Sequence, residues 1–565
     1  MKCRCIAIAA TMWTLGAVRL SAQTIAGTVR SPGVPVAGAT VRLLELDRTQ
    51  RSSSSGRFTF DNLPTGSYRI FVGMPGYATA IDTVSVGPGT TRATVELRAS
   101  VVSLGEIVVS ASPGARMANE SYQPVASKSQ VEFTRSAGAS FAAKIADLPG
   151  VTVRSNGSAA SRPILRGLSD NEVLVLENGL RMGDIATYDP AHATPIDALA
   201  ISQIDVVRGP ATILYGPSTI GGIVNMITDI VPAASDHLVS GTAALEANSV
   251  SDQVAAHVNN IFTIGGNTLG ISGGKRRSHY IRIPHGSYEA AGSGAVFTLD
   301  RMPQTFERSQ EAGAGYTYQG GFGTLGIGAK HFETDYGVPG VPPNDDFVNV
   351  PPGTSRIDQR RNTVEARGRF ELDGAAVRQL RIGASYNDYN QSESPTVQDS
   401  SGVANQTANH FHKRELNAVL QLQQRASGRL QGTVGLWTNL ERLDIDGEMP
   451  LGPNSVLAGV AGYAYEEYVA TARTRFQGAL RYDYSRIQTK PFAASTDSVF
   501  RTLDVSQRSS AVTASLGLLH QLSSHLATSF SVARSFRAPT VQELFANGLD
   551  AASGTYSIGT AIASA

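Results

Sequence analysis

The chain has 565 residues, too many for a single compact core, so two or more domains are expected. Its 48 lysines and arginines balance 47 aspartates and glutamates, which leaves no compositional case for binding nucleic acid. The 57 glycines, spread along the whole length, favour many short strands over helices. No stretch has 18 consecutive apolar residues, so a membrane-spanning reading must use a closed sheet.

Lys2 and Arg4 precede an uncharged, mostly apolar run from Ile6 to Val18, and Leu20-Ser21-Ala22 offers a cleavage site before Gln23. Residues 1–22 therefore read as a signal peptide. Cys3 and Cys5 both lie within it, so the exported chain would be free of cysteine.

From 23 to 100, short β patterns recur at roughly ten-residue spacing. Among them are Ile25-Ala26-Gly27-Thr28-Val29, Gly56-Arg57-Phe58-Thr59-Phe60 and Gly66-Ser67-Tyr68-Arg69-Ile70. This spacing predicts a small β-sandwich. The segment resembles the carboxypeptidase regulatory-like (transthyretin-like) domain. No HExxH zinc-protease pattern accompanies it, so it reads as a spacer or signalling module.

Residues 101–120 form a linker containing Glu106-Ile107-Val108-Val109-Ser110-Ala111. An acidic residue followed by a β-branched run suits a peptide that adds to another protein's sheet edge. The same run could instead be the last strand of the preceding domain. It resembles a TonB box, and that resemblance implies TonB as a periplasmic partner engaged by strand addition.

From 121 to 232 come Leu148-Pro149-Gly150-Val151, Leu165-Arg166-Gly167, the hairpin signal Glu177-Asn178-Gly179-Leu180, Arg208-Gly209-Pro210 and Gly221-Gly222-Ile223-Val224-Asn225. These motifs, in this order, resemble the plug of TonB-dependent outer-membrane receptors. Arg166 and Arg208 stand beside glycines, where long cations can leave the plug for carboxylates on a surrounding barrel. They could equally tie together the plug's own loops.

From 233 to 565 the pattern alternates weakly, as in outer-membrane strands. Val364, Ala366, Gly368, Phe370 and Leu372 fall on one face, and Glu365, Arg367, Arg369 and Glu371 on the other. The fold class is therefore mainly β: a sandwich, an α+β plug and an antiparallel transmembrane barrel. Such transporters are expected to have about 22 strands, whereas this stretch supplies about 12 to 14. The barrel is thus expected to be incomplete and the chain truncated at its C-terminus. Gly321-Phe322-Gly323-Thr324-Leu325-Gly326 matches GxGxxG but sits in an alternating strand with no helix behind it. Its glycines are expected to face the plug, not a dinucleotide.

Within the family, three segments look nearest to zinc-import receptors. They are Tyr188 to Asp197, Thr334-Asp335-Tyr336-Gly337-Val338-Pro339-Gly340, and Ser535-Phe536-Arg537-Ala538-Pro539 with the following Thr540 to Phe545. The resemblance implies a ligand-binding plug loop with Tyr188, Asp189, His192 and Asp197, and His192 as a metal ligand. The pattern departs from the branch at Ala191, where an acidic residue would stand, and in the lack of histidine between Gly340 and His410. Imidazole is the natural zinc ligand, so the ligand is read more broadly as a metal ion or metal complex.

The expected function is a receptor in outer-membrane lipid that imports a scarce extracellular ligand by energy-coupled plug movement. No catalytic residues and no cofactor are implied. A surface receptor that signals without importing, or a secreted enzyme with a β accessory domain, are the alternatives.

Overall fold

The computed structural model describes residues 23–563 apart from 32–33, 47, 74–76, 79, 100–106, 109–115, 118–121, 210–211, 217–218, 234, 236, 290–295, 340–354, 373, 375, 400–401, 406–408, 426–428, 448–449, 472, 494, 496, 523–525 and 551–554. The proposed signal peptide lies outside the described residues. The chain divides after Leu104 into two units.

The first unit is the expected sandwich. Thr24–Ser31 pairs antiparallel with Arg57–Phe60 and parallel with Thr90–Glu96. Arg48–Arg51, Thr40–Leu43, Gly66–Gly73 and Ala80–Val86 form the second sheet in that order. Alternate residues of both sheets point inward, so Ile25, Val29, Val41, Leu43, Phe60, Ile70 and Val72 make one buried core. Gly27 makes room for the Phe58 ring: a Cβ there would lie 2.1 Å from Phe58 Cζ.

The second unit begins with a globular α+β region. Its sheet runs Val125–Ser129, Ile201–Arg208, Gly222–Thr228, Val173–Glu177, Leu180–Arg181. Asn178 and Gly179 both have positive φ (58° and 80°), as a tight hairpin turn demands. A short helix, α1 (Gln130–Arg135), starts in a capping box between Ser129 and Glu132. Phe133, Ile145, Val151, Leu165, Ile204, Val206, Val224 and Met226 close the core.

Behind it stand the long antiparallel strands: β1 (Val239–Asn248), β2 (Gln253–Ile264), β3 (Asn267–Ser278), β4 (Glu307–Gly320), β5 (Gly323–Val338), β6 (Ser355–Glu371), β7 (Val377–Asp399), β8 (Asn409–Gln424), β9 (Leu430–Gly447), β10 (Asn454–Val469), β11 (Thr474–Lys490), β12 (Ser506–Gln521) and β13 (Ala527–Arg534). Each pairs with the next, giving one continuous ladder from β1 to β13. Connections at one end are short, as at 265–266 and 321–322; at the other they are long, as at 279–306. The alternation is as expected: Val364 is exposed, while Glu365 beside it is buried. Leu325, Ile327, Leu436, Leu480, Leu516 and Phe530 continue the exposed apolar face. At the short-turn end Phe322 stacks between Tyr318 and Phe370, as aromatic girdles do at a membrane boundary.

Lumen-side glycines let the chain pass close to this wall. A Cβ at Gly315 or Gly328 would lie 2.0 Å from Ile230 O, and one at Gly326 2.5 Å from Val231. Of the GxGxxG residues only Gly326 meets the plug side. Gly321 has open space, and Gly323 presses on the backbone of Arg369.

Candidate functional site between plug and wall

The plug contacts strands around a wide arc of the wall. Lys144 reaches Glu246 of β1 at 2.7 Å, and Tyr122 Oη donates to Glu467 of β10 at 2.6 Å. Arg481 of β11 donates to Ile213 O at 3.2 Å, and Lys413 of β8 to Asp184 O at 3.0 Å. A buried ionic triad forms at Glu177, which pairs with Lys330 of β5 and, at 2.7 Å, with Arg361 of β6. Burial alone would raise the Glu177 carboxyl, but the two cations hold it down at about 2.

The Tyr188 to Asp197 segment lies at the long-loop end and is largely buried. Ala191 and Ala193 pack with Tyr336, Val338 and Ile357 of the wall. Ile185 and Tyr188 pack with Tyr389, Phe411, Leu443 and Ile445. His192 is 1% exposed. Its Nε2 meets Glu393 Oε1 at 2.5 Å, and its Nδ1 lies 3.1 Å from Ile185 O. Burial disfavours the imidazolium, yet the Glu393 carboxylate raises the His192 pKa overall. Asp189 accepts from Ala191 N at 2.6 Å. Asp197 caps the turn at Leu199 N and faces His257 at 3.1 Å. Burial works against the Asp197 charge, but His257 and Arg276 hold its pKa below the ordinary carboxylate range.

These four residues, expected to face a ligand, are therefore joined to wall or plug partners or packed among them. Tyr188 lies beneath a second layer: Gln542 of α2 (Val541–Phe545) donates to its carbonyl at 2.8 Å. Among the described residues no group of three or more His, Cys, Asp or Glu could hold a metal ion. The expected reach of the two arginines is corrected. Arg208 donates to Pro149 O within the plug, because the Pro149-Gly150 turn brings a free carbonyl beside it. Arg166 is exposed, with a left-handed backbone (φ 52°), and makes no ion pair among the described residues. The wall is reached by Glu177, Lys144, Asp197 and His192 instead. Of the partner-binding candidate, Ile107–Val108 forms a short strand with Arg116–Met117; Glu106, Val109, Ser110 and Ala111 lie outside the described residues.

A globular plug seated against a lipid-facing antiparallel wall defines the class: a plugged outer-membrane barrel. Family comparison agrees. Residues 118–223 match the TonB-dependent Receptor Plug Domain, 297–562 the TonB dependent receptor-like beta-barrel, and 24–98 the Carboxypeptidase regulatory-like domain. The chain belongs to the TonB-dependent receptors, a family of outer-membrane receptors and not of enzymes.

The vitamin B12 transporter BtuB of Photobacterium profundum is 26% identical over 235 residues, covering 40% of this chain and 36% of that protein. The heme/hemopexin utilization protein C of Haemophilus influenzae is 37% identical over 90 residues, covering 16% and 12%. The chain thus aligns with well under half the length of these relatives. The copper transporter OprC superposes with a TM-score of 0.59 at 15% identity, covering 74% of this chain and 64% of that one. The ferric-catecholate import receptor Fiu of E. coli K12 gives 0.57 at 14%, covering 77% and 73%. At such identities the superpositions establish the fold alone.

Proposed function

We propose that this receptor imports a metal complex, and that its plug is moved by TonB acting on Glu106-Ile107-Val108-Val109-Ser110-Ala111. The observation that carries the reading is the way the plug is fastened. Glu177, Asp197 and His192 join it to β2, β5, β6 and β7 through buried polar contacts. Passage of a solute then needs work to break them, and an extended peptide pairing with a partner's sheet edge can transmit that work.

The cargo follows from two supports. Relatives and structural neighbours carry names that specify vitamin B12, heme, copper and ferric chelates. In addition, both ring nitrogens of His192 are engaged within the protein. A bare zinc ion would have to displace those contacts to gain its natural ligand. A complex recognised by its surface needs no such exchange.

Uptake of radiolabelled hemin, cyanocobalamin, a ferric catecholate and zinc by cells carrying the intact gene tests both parts. Val108→Pro, which removes a ladder donor, should abolish uptake while surface binding persists. Undiminished uptake by that variant would refute the coupling. Uptake of zinc alone, lost in His192→Ala, would refute the cargo.

A further inference from the structure

At the long-loop end, the outward face of the wall changes character. Along β4 the exposed positions run Tyr318, Tyr316, Ala314, Ala312, Gln310 and Arg308. Tyr318 belongs to the aromatic cluster at the short-turn end. At about 3.4 Å per residue and a tilt of about 40°, Arg308 lies about 26 Å above it. That is the height of the apolar band, so Arg308 stands where the outer lipid headgroups begin.

Arg308 has cationic company there. Its partner across the ladder on one side is Arg277 of β3, also exposed, with Lys275 two residues below on the same face; on the other side it is Asp335 of β5. Two like charges directly opposite repel, and neither arginine makes an ion pair among the described residues. Beside them opens a cavity of about 520 Å³ lined by Arg301, Arg308, Arg356, His279, Tyr280 and Phe306, with Asp252 and Asp335. Both acids are already engaged. Asp335 is forked by Arg356 at 2.6 and 2.8 Å, and Asp252 takes Arg282 at 2.6 Å and Arg301 at 2.8 Å. Arg308 lies over the Phe306 ring at 5.7 Å. The cluster keeps a net positive charge.

We propose that this cavity, with Arg277 and Arg308 at its edge, binds the phosphate of an outer-leaflet glycolipid headgroup. A phosphate between the two guanidinium groups turns their repulsion into paired, charge-assisted hydrogen bonds. Its position selects a lipid over a free anion. The cations point away from the lumen, and below Gln310 and Lys275 the same face turns apolar at Ala312, Ala314, Tyr316 and Ile271, which offers acyl chains a surface. The site is separate from the plug contacts, so it does not depend on the import reading.

The test is binding of diphosphoryl lipid A, doped into dodecyl maltoside micelles, to the purified full chain. Its dephosphorylated counterpart and inorganic phosphate are the comparison probes. Saturable binding is expected, at least about tenfold tighter than either comparison probe, and weakened at least about tenfold in Arg277→Gln/Arg308→Gln. Arg429→Ala, at the short-turn end, should bind as the unaltered protein does. Equal affinity for the dephosphorylated lipid would reduce the site to acyl contact, and equal affinity for free phosphate would reduce it to a simple anion site. Either overturns the proposal, as does a folded double variant with unchanged binding. If that variant loses its strand circular dichroism, the three-probe comparison on the unaltered chain decides alone.

Discussion

Glu177 of the plug and Arg361 of β6 meet at 2.7 Å with side chains only 3% and 2% exposed. Lys330 of β5 completes the triad from the other carboxylate oxygen. Such a group is costly to break, since removing one partner leaves uncompensated buried charge. Glu177→Gln should loosen the plug by about 3 to 5 kcal/mol. The pH dependence follows from the sign of the shift. The folded value, about 2, lies below the ordinary 4.5, so the stabilisation is complete above pH 4.5 and drains away as pH falls through 2. Limited proteolysis of the plug in detergent should show an acid-induced loss of protection that Glu177→Gln no longer shows. A variant as protected as the parent at neutral pH would exclude this role for the triad.

His192 should give the opposite limb. Its folded pKa is raised above the ordinary 6.5, burial being outweighed by Glu393. The contribution is therefore complete below pH 6.5 and lost as pH rises through the folded value. Amide exchange across Ile185 to Ile196, corrected for intrinsic rates, should accelerate on the alkaline side. In His192→Gln that pH dependence should vanish. An alkaline limb that persists in the variant would assign it to another group.

The plug motifs were legible because turn chemistry is local: Asn178-Gly179 and Pro149-Gly150 demand their conformations whatever surrounds them. The wall was legible by its period of two, as Val364 and Glu365 show. What was hidden is contact across distance. Glu177 ends an otherwise apolar strand, a signal in hindsight, but nothing near it in the chain names Lys330 or Arg361. Likewise, glycine beside Arg208 gave the cation freedom to leave, whereas the nearest acceptor was Pro149 O in its own domain. The hydrogen bond from Gln542 to the Tyr188 carbonyl joins residues far apart in sequence, which no local pattern encodes.

Gly328 tests the close passage of the segment after the plug sheet. An added Cβ would stand 2.0 Å from Ile230 O and 3.0 Å from Ile230 Cγ1, and the nearest atom is backbone, which cannot rotate away. Gly328→Ala should cost about 1 to 3 kcal/mol, as overpacking does, and raise protease sensitivity near Ile230. Gly321→Ala, with open space around its Cβ, should be nearly silent. Equal behaviour of the two variants would show that the contact carries no strain.

The covering helix α2 owes its start to Thr540 and Glu543, which form a capping box. Arg537 grips the same carboxylate at 2.6 and 2.7 Å. Glu543→Ala removes cap and ion pair together and should destabilise the segment by about 1 to 2 kcal/mol. Glu543→Gln keeps the capping geometry and loses only the charge, so its effect should be about half as large or less. Amide exchange within Val541–Phe545 should follow that order. Because Gln542 holds the Tyr188 carbonyl, exchange around Tyr188 should quicken in the alanine variant as well. If α2 loosens while the plug loop stays fully protected, the helix rests on that loop without holding it.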